Sequence, residues 1–128
     1  MNVSPVSHQC TIEAIRQALC GIVMMPRSEA ELHGIIERRL LAVGISHQRE
    51  APTATGPVDF ALGSLAMEVK VAGSANDIAR QITRYLQEPQ FTALVLVTAR
   101  AITLPISHVE TLEGDKPVHV IELWKNFA

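Results

Sequence analysis

Residues 65–71 read Leu65-Ala66-Met67-Glu68-Val69-Lys70-Val71, and this stretch decides the fold. Its alternation puts Leu65, Met67, Val69 and Val71 on one face of a strand, and Ala66, Glu68 and Lys70 on the other. Upstream, Val58 to Leu62 is a second apolar-rich run, joined to the first through Gly63-Ser64, a hairpin signal. An antiparallel hairpin brings Asp59, at the start of that run, alongside the Glu68 end. Ile45 to Ala51 reads as a short edge strand, closed by Pro52 and the loop Thr53 to Pro57. Downstream, Ser74 caps a helix expected to run to about Glu88, where Pro89 ends it. Thr92 to Ala99 contains Leu94-Val95-Leu96-Val97, a continuous apolar run suited to a strand covered on both faces. A long loop through Pro105 and Gly114 then leads to a last strand, Val118 to Trp124.

Two helices precede these elements. Ile12, Ile15, Leu19, Ile22 and Val23 recur at helical spacing over Thr11 to Val23, predicting an amphipathic helix that ends near Met24 and Pro26. Ser28 followed by Glu31 is a capping-box pattern at the mouth of the second. Leu32, Ile35, Ile36, Leu40 and Val43 form its expected buried stripe, and Gly44 stops it. The order helix, helix, strand, strand, strand, helix, strand, strand predicts an α/β fold with a mixed sheet and helices packed on its faces.

A chain of 128 residues is expected to form a single domain. Hydrophobic residues make up 48% and aromatic ones only 4%, so the core must be built mainly of Val, Ile, Leu and Ala. Eleven basic and thirteen acidic side chains give a formal charge of −2, which excludes a uniformly basic nucleic-acid coat but permits a local basic strip. No apolar run approaches the ~20 residues that span a bilayer, and Met1 to Gln9 has no signal-peptide layout. Cys10 and Cys20 form no CxxC pair, so a disulfide framework is not expected and the cytoplasm is the expected compartment. His8, His33, His47, His108 and His119 show no zinc-binding spacing. Phosphate-binding glycine loops and the GxSxG elbow are absent.

Two carboxylates and an amine therefore converge at one end of the predicted sheet: Asp59, Glu68 and Lys70. Hard divalent cations take one or two carboxylates together with water and substrate phosphate, and a lysine beside them can orient an attacking water. A Glu-x-Lys pair alone is better explained as a solvated strand face. Glu29 lies near the edge of the Leu32/Ile36/Leu40 stripe, turned toward the sheet, although the helix dipole by itself favours a first-turn glutamate. On the third helix, Gln81 and Tyr85 border the Ile78/Ile82/Leu86 stripe, with Arg80 and Arg84 on the polar side as candidate phosphate contacts.

Taken together, Glu29, Asp59, Glu68-Val69-Lys70 and Gln81-Ile82-Thr83-Arg84-Tyr85 resemble the PD-(D/E)XK nuclease superfamily. The stretch from Glu29 to Leu32 is similar to the first helix of Holliday-junction resolvases. The Gln81/Tyr85 spacing is similar to the motif of RecB-type and lambda-exonuclease-type nucleases. The likeness covers Ser28 to Ala99; Val58 stands between Pro57 and Asp59, where the superfamily's proline directly precedes its aspartate. The resemblance implies a restriction-endonuclease-like αβββαβ core over residues 27–128, with residues 1–26 as a helical N-terminal extension and an added C-terminal strand. It implies that Asp59, Glu68 and the carbonyl of Val69 hold Mg²⁺ or Mn²⁺, with Glu29 assisting a second metal or its waters. Lys70 would position the hydrolytic water, Gln81 and Tyr85 would shape the site, and Arg80 and Arg84 would contact DNA. The implied reaction is DNA phosphodiester hydrolysis, leaving a 5′-phosphate and a 3′-hydroxyl. The partners expected are DNA, branched or single-stranded forms included, and a homo-oligomer or larger DNA-processing complex. The alternative is a non-catalytic nuclease-fold DNA-binding or interaction subunit of such a complex.

Overall fold

The computed structural model describes residues 5–101 and 116–127, with side chains described from Thr11 onward. The expected loop through Pro105 and Gly114 lies outside the described residues, as do His8, Cys10 and His108 as side chains. The chain is α/β: a five-stranded mixed sheet flanked by helices. Its elements are α1 (Pro5–Leu19), α2 (Glu29–Ala42), β1 (Gln48–Ala51), β2 (Val58–Leu62), β3 (Leu65–Lys70), α3 (Ala75–Leu86), β4 (Ala93–Thr98), β5 (Val118–Glu122) and a closing 3₁₀ turn, Leu123–Asn126.

Helix α1 begins earlier than expected because Pro5 suits a first helical position, where a missing N–H costs nothing. It also ends earlier, at Leu19, and Val23 is 61% exposed rather than part of the buried stripe. The cause is tertiary. Arg39 Nη2 donates to the Gly21 carbonyl at 2.9 Å, and a Cβ at Gly21 would lie 2.4 Å from that guanidinium. A side chain at residue 21 would have to displace this guanidinium.

Ser28 caps α2, its Oγ accepting the Glu31 N–H at 3.1 Å. The reciprocal half of the capping box is absent, because Glu31 Oε1 accepts from the Arg27 N–H instead. At the far end, Gly44 takes φ 73°, the Ile45 N–H donates to Leu40 O and the Gly44 N–H to Leu41 O. This paired closure is a Schellman cap. It makes Val43 the helix-capping residue, exposed rather than buried, and it uses Ile45 before β1 can start. Gly44→Ala should cost about 1 kcal/mol, because a Cβ disfavours this φ. A thermal melt should show a drop of roughly 3–5 °C; an unchanged midpoint would contradict the cap.

The strands lie in sequence order, β1 and β2 antiparallel, β2 and β3 antiparallel, then β3, β4 and β5 parallel. Gly63 at φ 62° turns β2 directly into β3, pairing Leu62 with Leu65, Ala61 with Ala66 and Phe60 with Met67. That two-residue loop fixes the register. One face of the sheet packs Phe60, Met67, Val69, Val95 and Val97 against Ile12, Ile15 and Leu19 of α1 and Leu32, Ile36 and Leu40 of α2. The other packs Ala66, Leu94 and Leu96 against Ile78, Ile82 and Leu86 of α3. All of β4 is buried, as its continuous apolar run requires. The segment read as an N-terminal extension thus contributes to the larger of the two cores, and Asn126 fastens it by donating to Leu19 O and Ile22 O.

Candidate active site

The β2–β3 ladder runs from the turn to the Phe60–Met67 pair. At the next position two carboxylates do the joining. Asp59 N–H donates to Glu68 Oε1 at 3.0 Å, and Val69 N–H donates to Asp59 Oδ2 at 2.8 Å. The chain turns at this point, for Phe60 and Leu62 join the α1/α2 core while Val58 joins the α3 core, so the period-2 alternation fails across Asp59. Asp59 and Glu68 therefore meet on neighbouring strands, each with one oxygen engaged by backbone.

Lys70 lies on the same face as Glu68, its Nζ 3.7 Å from Glu68 Oε2. Within a strand, the N–H and C=O of one residue point to the same side. Because Val69 N–H points at Asp59, its carbonyl also faces the gap opened beside β2. Glu68 is only 3% exposed, and burial, reinforced by the adjacent Asp59 charge, pushes its carboxyl up to about 7. The Asp59 N–H, Lys70 and Tyr85 each pull the other way without cancelling this.

Helix α2 supplies two further groups. Glu29, exposed in its first turn, accepts the Val71 N–H through Oε1 at 3.4 Å, which brings it to the end of β3. One turn on, His33 Nε2 stands 3.4 Å from Asp59 Oδ2, an ion-pair distance without hydrogen-bond alignment, while its ring meets Phe60 edge-on. Asp59 raises the His33 pKa, and partial burial opposes the shift. His33 lacks zinc-binding spacing, yet it stands beside Asp59 in the site. The available signal was its position four residues after Glu29 on one helix face.

Helix α3 closes the other side. Tyr85, buried at its ring, donates to the Pro57 carbonyl at 3.0 Å, which ties α3 to the loop before Asp59. Burial first, and the Glu68 charge second, push the Tyr85 phenol up to about 12. Gln81 Oε1 is enclosed among the described residues with no hydrogen-bond partner. The polar-side placement expected of both arginines leaves only Arg80 exposed. Arg84 is half-buried, its Nη2 donating to Tyr85 Oη at 2.7 Å and its guanidinium 4.7 Å from the Tyr85 ring centre. Arg80 is exposed but paired with Asp77 one turn earlier.

The atoms turned into this gap are oxygens from two carboxylates and a backbone carbonyl, a donor set suited to a hard divalent cation that keeps several waters. Among the described residues no group of three or more His, Cys, Asp or Glu side chains is placed to hold a metal ion. A cation here would thus draw on Asp59, Glu68, the Val69 carbonyl and water. Among the described residues no helix is long and apolar enough to cross a membrane. Comparison of the chain with protein-family models, curated proteins and solved structures finds no match.

Proposed function

We propose that the chain is a divalent-metal-dependent nuclease of the PD-(D/E)XK type, hydrolysing DNA phosphodiester bonds. The observation that carries this reading is the interlock of Asp59 and Glu68 across β2 and β3, with Lys70 on the Glu68 face. A structural ion pair would need one acid; two acids crowded in a buried corner hold the second at the cost of a raised pKa. A bound Mg²⁺ or Mn²⁺ would relieve that repulsion and supply Lewis-acid polarisation of a phosphoryl oxygen together with a more acidic water.

The chain's own residues then divide the work. Asp59, Glu68 and the Val69 carbonyl hold the cation, and Glu29 at the rim holds waters or a second ion. Lys70, 15% exposed at its side chain, reaches from the buried acid toward solvent and orients the attacking water while offsetting phosphate charge. Tyr85 stays protonated at neutral pH and keeps the Pro57 carbonyl in place. Arg80 contacts backbone phosphate by exchanging its Asp77 partner, and Arg84 does so from beside Tyr85.

Incubation of the chain with branched, linear and circular DNAs in Mg²⁺, Mn²⁺ or EDTA tests this. The expected outcome is cleavage in either metal and none in EDTA, with 5′-phosphate and 3′-hydroxyl ends. Metal-bound chain that cuts none of these DNAs would replace the enzyme by a non-catalytic binding subunit of a larger complex. Cleavage surviving EDTA would remove the metal from the account.

A further inference from the structure

Beyond the residues that face the gap, one buried carboxylate is unexplained. Glu88 follows α3 by two residues, is 5% exposed, and makes no ion pair among the described residues. Burying a carboxylate without a cation is costly unless hydrogen-bond donors surround it. The donors come from one place. Thr55 Oγ1 donates to Glu88 Oε1 at 2.8 Å, and this bond, first among the polar groups of one loop, holds the carboxyl below its ordinary range.

These donors belong to the loop between β1 and β2, which runs straight into Pro57 and Asp59. Within the loop, Thr53 Oγ1 accepts the Thr55 N–H at 3.2 Å, and Gly56 N–H donates to Thr53 O at 3.3 Å, so the turn is closed on itself. Tyr85 grips the same segment at the Pro57 carbonyl. Glu88 is further braced from behind, since Lys116 Nζ donates to the carbonyls of Leu86 and Glu88. The end of α3 thus holds the Asp59-bearing segment at two points, Tyr85 on Pro57 and Glu88 on Thr55.

We propose that Glu88 is a positioning residue for the cation site: by fastening the Thr53–Gly56 turn to the end of α3, it sets where Asp59 meets Glu68. This inference rests on the metal-site reading given above. The chemistry explains why a carboxylate stands here. The Glu88 carboxylate accepts from the Thr55 hydroxyl, whereas an apolar side chain here would hold nothing of the turn. Because Asp59 sits four residues beyond Thr55, small displacement of the turn moves its carboxylate relative to Glu68. Misplacement on the ångström scale costs activity steeply.

Mn²⁺ binding to the full chain, followed by loss of the free-ion paramagnetic resonance signal, tests this together with amide exchange of Thr55, Gly56, Val58 and Asp59. Thr55→Val removes the hydroxyl from a solvent-exposed loop and should leave folding intact, while Thr55→Ser keeps it. Glu88→Gln is the companion on the helix side. Thr55→Val and Glu88→Gln should speed exchange in the loop and weaken Mn²⁺ binding about tenfold, and Thr55→Ser should match wild type. Faster exchange with Mn²⁺ affinity unchanged in both variants would overturn the positioning role while leaving the metal site intact. Wild type that binds no Mn²⁺ would overturn the metal-site reading itself, and the positioning role with it.

Discussion

Glu68→Gln is expected to raise the metal-free melting temperature at pH 8 and to change it little at pH 4. The folded state raises the Glu68 pKa from 4.5 to about 7, so between those values the native chain binds the proton that the unfolded chain has lost. Stability linked to this group is therefore complete below pH 4.5 and is lost as pH rises through about 7. The shift corresponds to about 3 kcal/mol as an upper figure, since the carboxyl is almost fully enclosed. Glutamine keeps an oxygen for the Asp59 N–H and never ionises, so it escapes the loss. The gain should be roughly 5–10 °C at pH 8 in EDTA. His33, raised by Asp59, drives wild type in the same direction and should persist as a weaker pH dependence in the variant. A wild-type melting temperature that rises from pH 5 to pH 8 would contradict the crowded pair. Mg²⁺ should stabilise wild type at pH 8 by mass action and stabilise Glu68→Gln much less.

The second large effect concerns cleavage. Asp59→Asn and Lys70→Ala should each lower metal-dependent cleavage by about a thousandfold, for different reasons. Asp59→Asn removes a charge from the cation's donors, so metal-induced stabilisation should fall along with activity. Lys70→Ala leaves those donors in place and should keep the metal response while losing turnover. The pair separates a ligand from a group that acts on water and phosphate. Measured rates and melting shifts on the same two variants decide it. Equal loss of metal stabilisation in both would make Lys70 part of the cation's support, and full activity in Asp59→Asn would assign the chemistry elsewhere.

Much of this arrangement is legible in the sequence because strand parity and a short turn leave little freedom. Once Gly63-Ser64 is read as a two-residue turn, Leu62 must face Leu65, and Asp59 must arrive beside Glu68. Glu68 and Lys70 share a face by period alone. The turn of the chain at Asp59, by which carboxylates replace ladder bonds, is not legible, since it depends on how far β2 diverges from β3. His33 is hidden for a related reason: its distance to Asp59 is set by where α2 crosses the sheet, which periodicity does not encode. Arg84 misleads because a long side chain on the polar side of α3 can fold back to cap a neighbouring phenol. The early end of α1 comes from Arg39 reaching Gly21 across eighteen residues, a tertiary contact that overrides a clean helical pattern.

Calorimetric titration of Mn²⁺ into the full chain at pH 7 tests most directly whether Asp59 and Glu68 share one cation. With the Glu68 carboxyl pushed up to about 7, binding should displace protons from it, visible as a heat that differs between two buffers of unlike ionisation enthalpy. Saturable binding with that proton release in wild type, and loss of both in Asp59→Asn, is the predicted result; no binding, or binding undiminished in Asp59→Asn, would contradict it.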